Sequence, residues 1–417
     1  MSEYHRETLE VLLSRLQEEP RWLIVVSGPR QSGKTTLVRQ ALHQSALPSI
    51  YFAVDGFENA EIRHLPGYLE EARFSREPRD RSWLVRTWEQ ARREAIRSPG
   101  GLVLVLDEIQ KIPDWSATVK GLWDADRHAG SQLRVVVLGS APLLMQGGLT
   151  ESLTGRFESI PITHWSFREM SQAFGYSLES YIYFGGYPGP AHLLPDHQRW
   201  SHYVEKSILE PTVERDVLAM QRIHKPALLK RLLRLGAGFS GQILSYNKML
   251  GQLQDAGNAT TLARYLQLLA GNGLVCGLEK FAGNRQRRMA SSPKLNVLNT
   301  AISAAFSGYD FAGARADRSH WGRLVESAVG AHLLNTAGRD IGVYYWRDAP
   351  YEVDFVLKRG AALAAIEVKS GPRADRVSGL REFERRHSPQ RSIVVGEQGI
   401  PVSEMLSIPA GYWFRDK

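Results

Sequence analysis

The sequence predicts a multidomain α/β protein, and three segments with different patterns support this prediction. In the first third, short apolar runs alternate with helical stretches, which indicates a parallel sheet with helical crossovers. The middle of the chain is largely helical, and the last third follows the order helix, three strands, helix, strand. At 417 residues the chain is too long for one ordinary core, so several domains are expected.

The composition excludes several classes of protein. Hydrophobic residues make up 43% and charged residues 23%, which is typical of globular proteins and argues against general disorder. No apolar run approaches the roughly 20 residues of a membrane span, and the charged N-terminus does not resemble a secretory signal. The single cysteine, Cys276, cannot form an internal disulfide or a metal cluster. We therefore expect a cytoplasmic protein with no membrane partner.

The net charge of +8 is concentrated in one part of the chain. Residues 222–290 contain eleven Lys or Arg, opposed only by Asp255 and Glu279, so this basic block carries +9 and the rest sums to −1. Such a block suggests a polyanionic partner, with nucleic acid the first choice. A solvated basic face without a partner is the competing interpretation.

A phosphate-binding loop is predicted after the first apolar strand. Residues 22–27 are apolar, 28–35 read GPRQSGKT, and a helical stretch follows, which is G-x-x-x-x-G-K-[ST] in its strand-loop-helix context. Gly28 and Gly33 allow the backbone N–H groups to surround phosphate oxygens, Lys34 reaches the β- and γ-phosphates, and Thr35 binds Mg²⁺. The stretch predicted to bind ATP comprises Gly28, Pro29, Arg30, Gln31, Ser32, Gly33, Lys34, Thr35 and Thr36.

Further strands supply the remaining candidate residues for ATP hydrolysis. Five apolar residues, 102–106, precede Asp107 and Glu108, which is the Walker B pattern: Asp107 holds Mg²⁺ and Glu108 activates the attacking water. Ser140 follows the next strand and can contact the γ-phosphate, although such a serine is commonly a helix cap. Arg156 can reach the ATP of a neighbouring subunit in a homo-oligomer, or be an ordinary surface arginine.

The basic block has the pattern of a winged helix. Helical stretches are predicted at 227–237, 246–254 and 260–270, with Arg264 and Tyr265 on or near the outward side of the third. A strand at 274–278 and a basic loop follow. In a winged helix the last helix enters the DNA major groove and the loop contacts phosphates. Protein docking is the alternative use of this fold. The residues predicted to bind DNA are Arg264, Arg285, Arg287 and Arg288.

The last third contains a second candidate catalytic group. Its predicted order αβββαβ is the core of the restriction-endonuclease-like fold, whose signature is an acidic residue on one strand and E-x-K on the next. Asp354 and Glu367 are candidate Mg²⁺ ligands, and Lys369 is placed to orient the attacking water. Glu326 on the preceding helix is a further candidate carboxylate, at the edge of the apolar stripe. Alternating charges on an exposed strand would give the same pattern without catalysis.

Taken together, these motifs resemble one family, the bacterial and archaeal AAA-type ATPases that carry a C-terminal domain of unknown function with a restriction-endonuclease-like core. In this family the ATPase residues correspond to Lys34, Thr35, Asp107 and Glu108, and the nuclease-like residues to Glu326, Asp354, Glu367 and Lys369. The sequence departs at Ala141, where a second Ser or Thr is common. The matching stretches are GPRQSGKTT, LVLDEIQKIP, LGSAPLL, ESLTGR, FGGYP, VERDV, SPKL, EVDFVL and IEVKSG.

The predicted organisation has four domains: a P-loop ATPase core at 1–165, a helical lid at 166–224, a winged helix at 225–290 and a restriction-endonuclease-like domain at 291–417. The leading hypothesis is an ATP-hydrolysing protein that binds and remodels or processes DNA, duplex or branched, with a Mg²⁺-dependent nuclease domain. The alternative is an ATP-gated signalling switch whose winged helix and inactive nuclease-like fold bind a partner or an operator. A small-molecule kinase would leave the basic block and the C-terminal third without a task.

Overall fold

A computed structural model describes residues 4–54, 61–63, 78–139, 153–217, 223, 225–253, 257–282, 291–369 and 378–415. Of residues 61–63, 215 and 216 it describes the backbone alone. The chain divides into two compact units, Met1–Ile162 and Thr163–Lys417. Within the described residues, no helix has both the length and the apolar character that crossing a membrane requires.

The first unit is built on one six-stranded sheet with the order β3-β2-β4-β5-β1-β6. All neighbouring strands are parallel except β2 and β3. The parallel sheet predicted for the first third is therefore confirmed. Its strands are β1 (Leu23–Ser27), β2 (Ser49–Ala53), β3 (Glu61–Arg63), β4 (Leu102–Asp107), β5 (Leu133–Gly139) and β6 (Phe157–Pro161).

Helices cover both faces of this sheet, because its central strands are apolar on both sides. One face packs against Trp88 and Trp123, and the other against Leu12 and Leu37. These layers hold the carboxyl ends of β1 and β4 at the same edge of the sheet, with β5 between the two strands. The helices are α1 (Thr8–Gln17), α2 (Lys34–Gln44), α3 (Arg81–Arg97) and α4 (Trp115–Ala129), with a 3-10 turn at Ile109–Lys111.

The second unit begins with short helices and continues into three helices and a hairpin. The paired strands of the hairpin are antiparallel, with Val275 opposite Val297. The predicted boundary at residue 290 falls between these two strands. The elements are α5 (Phe167–Phe174), α6 (Leu178–Phe184), α7 (His197–His202), π-helical turns at Tyr203–Leu209 and Thr212–Val217, α8 (Pro226–Gly238), α9 (Tyr246–Gln252), α10 (Ala259–Gly271), β7 (Val275–Leu278) and β8 (Lys294–Val297), with a 3-10 turn at Gly189–Leu193.

The C-terminal part has a four-stranded sheet with the order β12-β11-β10-β9. Strands β9, β10 and β11 are antiparallel neighbours, and β12 lies parallel to β11. The predicted order of elements is confirmed, with shifts of a few residues at their ends. They are α11 (Ala301–Ser307), α12 (Phe311–Ala316), α13 (Arg318–Thr336), β9 (Ile341–Asp348), β10 (Tyr351–Arg359), β11 (Ala362–Lys369), α14 (Ser378–His387), β12 (Arg391–Gly396) and α15 (Val402–Met405), with a 3-10 turn at Ala410–Phe414.

The FGGYP stretch, residues 184–188, contains two glycines at which a side chain would clash. Gly185 has φ +68°, and a Cβ there would lie 2.0 Å from Asn299 Oδ1. A Cβ on Gly186 would lie 2.1 Å from the carbonyl oxygen of Trp165. The Gly186 N–H donates to Asn299 Oδ1 at 3.0 Å. Both glycines are needed because other parts of the backbone pass too close for a side chain.

Candidate functional site

The phosphate-binding loop has the backbone shape that its glycines predict. Gly33 has φ +87° and directly precedes α2, so the loop turns into the helix through a left-handed residue that a side chain would strain. A Cβ on Gly28 would lie 2.1 Å from the carbonyl oxygen of Ile162, next to β6. Lys34 Nζ donates to the carbonyl oxygens of Gly28 and Pro29 at 3.0 and 2.7 Å. The amide groups at the start of α2 provide a site suited to an anion.

Thr35 and Asp107 meet where the loop passes the end of β4. The Thr35 hydroxyl donates to Asp107 Oδ2 at 2.9 Å. The Tyr51 hydroxyl donates to the same oxygen. Burial raises the pKa of Tyr51, and the neighbouring Asp107 carboxylate raises it further, so the phenol stays a hydrogen-bond donor. The structure therefore brings together two predicted residues, Thr35 and Asp107, and adds Tyr51, which the sequence prediction missed.

Glu108 adopts an uncommon backbone conformation, with φ +57° and ψ +34°. This left-handed turn follows β4 and leads into the 3-10 turn that begins at Ile109. The Gln110 side chain donates to Glu108 Oε2 at 2.6 Å. Residues with a strained backbone conformation are frequently found at functional sites.

These residues fit the magnesium nucleotide that the motif implies. The Thr35 hydroxyl and the Asp107 carboxylate are hard oxygen donors within hydrogen-bond distance of each other, as a Mg²⁺ ion requires of its ligands. Asp107 is buried, which leaves few competing water molecules around its carboxylate. When bound, the ion would neutralise charge on the β- and γ-phosphates.

Arg6 is a second residue that the sequence prediction missed in this region. Its Nη1 atom donates to the carbonyl oxygen of Ser32 at 2.8 Å, and the side chain is buried. Gln40 of α2 donates to the Tyr4 carbonyl oxygen at 3.0 Å. These two hydrogen bonds join the N-terminal segment to the phosphate loop and to α2. No local pattern marks Arg6, because the contact joins residues 26 positions apart.

Two candidates after β5 have different outcomes. Ser140 lies outside the described residues. Arg156 forms a two-pronged contact with Asp124 of α4, with Nε to Oδ1 at 2.7 Å and Nη2 to Oδ2 at 3.0 Å. Both side chains remain about one-third exposed. Hydrogen bonding to Arg156 lowers the pKa of Asp124. Arg156 is thus held by a partner in its own chain.

Of the four candidates for DNA contact, the structure describes Arg264. Arg264 on α10 is exposed, as expected. The prediction for Tyr265 was wrong, since this side chain is 5% exposed. Helix α10 packs against α8, α9 and β7, so it buries a wider face than the spacing of its leucines predicts. Arg285, Arg287 and Arg288 lie outside the described residues.

In the C-terminal part, Asp354 lies where the pairing of two strands is irregular. The register between β10 and β9 shifts between Val353 and Val356, a bulge that redirects the side chains between them. Asp354 Oδ2 accepts from the Val368 N–H of β11 at 2.9 Å. Its other oxygen, Oδ1, lies 3.0 Å from Lys294 Nζ.

Lys294 is the centre of this cluster, and the sequence prediction missed it. Its Nζ atom lies 2.6 Å from Glu326 Oε1 and 3.7 Å from Glu352 Oε1. The Lys294 side chain is only 1% exposed. Burial lowers the pKa of Lys294, but the carboxylates of Asp354, Glu326 and Glu352 outweigh this effect and raise it, so the amine is charged. No apolar pattern marks Lys294 in the sequence, since its strand β8 reads Lys-Leu-Asn-Val.

Burial strongly affects the titration of two predicted carboxylates, Glu326 and Glu367. Burial raises the pKa of Glu326 to about 7, helped by Asp354 and opposed by Lys294. Burial and Asp354 likewise raise the pKa of Glu367 to about 8. Glu367 Oε1 pairs with Lys369, whereas its Oε2 atom is buried without a hydrogen-bond partner among the described residues.

The arrangement of this cluster does not fit a bound divalent metal. The ammonium of Lys294 lies between Glu326 and Asp354, where an ion shared by these carboxylates would have to bind. Within the part of the chain that the structure describes, no three His, Cys, Asp or Glu side chains form a metal-binding group. The four predicted residues Glu326, Asp354, Glu367 and Lys369 are brought together, but around a lysine.

A cavity of about 320 Å³ adjoins the cluster. Lys369 is one of its lining residues, and Trp321 and Val325 of α13 contribute apolar wall. Glu179 and Glu397 also line the cavity, so its polar lining includes both signs of charge.

Comparison with family models divides the chain into three segments. Residues 20–171 match the family described as AAA domain. Residues 175–312 and 321–411 match two families that are each described as a domain of unknown function, DUF8612 and DUF4143. The parallel sheet, the loop and the first match together show that the first unit is an AAA-type P-loop domain.

Related chains align with most of this chain at low identity. An uncharacterized protein of Mycobacterium tuberculosis is 25% identical over 395 residues, which cover 93% of this chain and 80% of the relative. An uncharacterized protein of Haemophilus influenzae is 24% identical over 356 residues, covering 82% and 81%. The solved structure of a Walker-type ATPase of Pyrococcus abyssi has a TM-score of 0.44 and 14% identity, covering 72% of this chain and 95% of that chain.

Proposed function

We propose that this protein binds and hydrolyses ATP and couples the nucleotide cycle to DNA binding. The observation that carries the ATPase part is the contact between Thr35 and Asp107 at 2.9 Å. It joins the last residue of the phosphate loop to the acidic end of β4, and these two residues are the pair that holds Mg²⁺ in P-loop ATPases. Lys34 and the loop amides bind the phosphates.

Glu108 is the proposed general base. It directly follows Asp107, and its side chain has a hydrogen-bond partner in Gln110, which would hold the carboxylate in one orientation. A carboxylate positioned in this way can accept the proton of the attacking water.

DNA binding is proposed for the basic block. Helices α8, α9 and α10, the hairpin β7–β8 and an isolated bridge between Ile243 and Lys294 follow the order of a winged helix. Arg264 is exposed on the third helix. The +9 charge of residues 222–290 favours DNA over a neutral docking partner, because phosphate contacts dominate binding to duplex DNA.

The C-terminal part is proposed to have a restriction-endonuclease-like fold. The order α13, β9, β10, β11, α14, β12 supports this assignment, as does the position of Asp354 and Glu367 on adjacent strands. The second candidate function, an ATP-gated switch that binds a partner or operator through an inactive nuclease-like fold, is favoured by one observation. In this observation the ammonium of Lys294 lies between the carboxylates of Glu326 and Asp354, where a nuclease would hold a metal ion.

One experiment tests the proposed function. ATP turnover and cleavage are measured on a panel of single-stranded, duplex and branched DNA at low salt, with Glu108→Gln, Lys34→Ala and Lys369→Ala variants. We expect DNA to stimulate turnover, and Glu108→Gln to lower it by about 100-fold or more while ATP still binds. Glu19→Gln, the same change at an exposed position, is the matched control and should leave turnover unchanged.

The proposal is wrong if no DNA in the panel binds or changes the rate of ATP hydrolysis. Very slow hydrolysis together with tight nucleotide binding and no cleavage would favour the switch. Cleavage that requires Mg²⁺ or Mn²⁺ and is lost with Asp354→Ala would eliminate the switch.

A further inference from the structure

We propose that the ammonium of Lys294 replaces the divalent cation in the acidic cluster of the C-terminal part, so that this part does not carry out metal-dependent cutting. This inference rests on the restriction-endonuclease-like fold given under the proposed function. It is independent of whether the protein hydrolyses ATP or binds DNA.

The charged atom of Lys294 lies among carboxylate oxygens. Lys294 Nζ lies 2.6 Å from Glu326 Oε1, 3.0 Å from Asp354 Oδ1 and 3.7 Å from Glu352 Oε1. A divalent metal shared by carboxylates sits among their oxygens in the same way, at about 2.0–2.6 Å from each. The ammonium therefore takes both the place and the neutralising role of such an ion.

Lys294 is also fixed in this position. Its backbone belongs to β8, where it lies opposite Leu278, and it also bridges to Ile243. Its side chain is 1% exposed, and Nζ lies 5.2 Å from the centre of the Phe355 ring. A buried side chain that starts from a strand paired on both sides cannot leave without disturbing the hairpin.

Two lysines with different exposure contact the carboxylates of the cluster. Lys369, the lysine of the E-x-K pattern, pairs with Glu367 and remains 27% exposed at the edge of the cavity. Lys294 comes from a different strand, outside that pattern, and reaches the carboxylates from inside the unit. The cluster thus holds two ammonium groups, and only Lys369 has access to solvent.

The reverse substitution should create a metal site. Lys294→Met removes the charge with an unbranched side chain one heavy atom shorter, which leaves Glu326, Glu352 and Asp354 facing one another without a cation. To bind Mn²⁺, Glu326 and Asp354 need to close in by less than about 1 Å each from their positions around Nζ. If the variant binds Mn²⁺ at these carboxylates, the ammonium of Lys294 was the group that excluded the metal.

The test counts Mn²⁺ bound to the full-length, nucleotide-free protein, from the electron paramagnetic resonance signal of free Mn²⁺. Wild type and Asp354→Asn should bind the same number of ions. Lys294→Met should bind one more per chain, and Lys294→Met with Asp354→Asn should lose it. Lys358→Met, the same change on strand β10 outside the cluster, is the matched control and should gain none.

Two results would overturn the inference. One is a wild-type protein that binds one more Mn²⁺ than Asp354→Asn, and the other is a folded Lys294→Met protein that gains no ion. If Lys294→Met does not fold in metal-free buffer, the wild-type comparison still decides, with Glu326→Gln as a second reference. Recovery of folding by Mn²⁺ would support the inference. Loss of ATP turnover or of DNA stimulation would leave these counts unchanged, so the two proposals fail separately.

Discussion

The Tyr51 hydroxyl donates a hydrogen bond to Asp107, at the same carboxylate oxygen that accepts from Thr35. Tyr51 lies on β2, which pairs in parallel with β4, and its side chain is 2% exposed. A second donor on a metal-binding carboxylate fixes its orientation and thereby tunes its affinity for the ion. We therefore regard Tyr51 as a positioning residue of the ATPase site.

Replacing Tyr51 by phenylalanine keeps the ring and removes the hydroxyl that donates to Asp107. We expect the Mg²⁺ concentration that gives half-maximal ATP turnover to rise by about 10-fold, because outer-shell partners of metal ligands have effects of this size. ATP turnover is measured against Mg²⁺ concentration at fixed ATP. Tyr176→Phe is the matched control, since its hydroxyl is buried without a hydrogen-bond partner among the described residues. An unchanged Mg²⁺ dependence would remove Tyr51 from this role.

Neutralising the basic loop should weaken DNA binding while ATP hydrolysis without DNA persists. Replacing Arg285, Arg287 and Arg288 by serine should lower the slope of log affinity against log salt by about 3, since each phosphate contact contributes about 0.9. Arg264→Ala should lower it by about 1 if the exposed arginine contacts a phosphate. Fluorescence anisotropy over a series of salt concentrations measures both slopes.

The control for these changes is Arg93→Ala, which removes the same charge from an exposed position on α3 of the first unit. It should leave the slope unchanged. Equal slopes in all of the variants would show that the basic block does not hold the DNA.

The contact between Arg156 and Asp124 separates two roles of this arginine. Because the two-pronged contact holds Arg156 in its own chain, we expect Arg156→Ala and Asp124→Ala to have the same small effect on ATP turnover. Turnover per chain is measured over a range of protein concentrations. A loss confined to Arg156→Ala, and growing with association of the chain, would instead assign Arg156 to a neighbouring subunit's ATP.

His332 should make the stability of the C-terminal part depend on pH. Its Nε2–H donates to the Ile408 carbonyl oxygen at 2.7 Å, and burial lowers the pKa of the ring below its ordinary value of 6.5. The unfolded chain then takes up the proton more readily than the folded one. The stabilisation is therefore complete above about pH 6.5 and is lost as the pH falls below it.

The comparison uses His332→Gln, which keeps a donor but does not titrate in this range. Urea midpoints at pH 7.5 and 5.5 are followed by pulsed hydrogen exchange in peptides from α13. The midpoint of wild type should fall more than that of the variant. His202→Gln, a change at an exposed position, should keep the full wild-type dependence. An identical dependence in His332→Gln would contradict the assignment.

Much of the fold could be predicted from local pattern. Buried strands appear in the sequence as apolar runs, so β1, β2, β4, β5 and β6 of the first sheet and the αβββαβ order were found to within a few residues. The short edge strand β3 was not predicted. The phosphate loop was predictable because its chemistry depends on neighbours in sequence: Gly33, Lys34 and Thr35 act from consecutive positions. The burial of Tyr265 was not, because a helix packed by three other elements buries more than one stripe.

The sequence alone determined which residues carry acidic, basic and phosphate-binding chemistry, including Asp107, Asp354 and Glu367. Only the tertiary structure decided which cation meets the second group of carboxylates. Lys294 lies 60 residues before Asp354, on a strand of a hairpin that precedes the C-terminal sheet. Strand pairing and helix packing bring its carboxylate partners to it. Because these partners are so distant in the chain, no local sequence pattern predicts the contact.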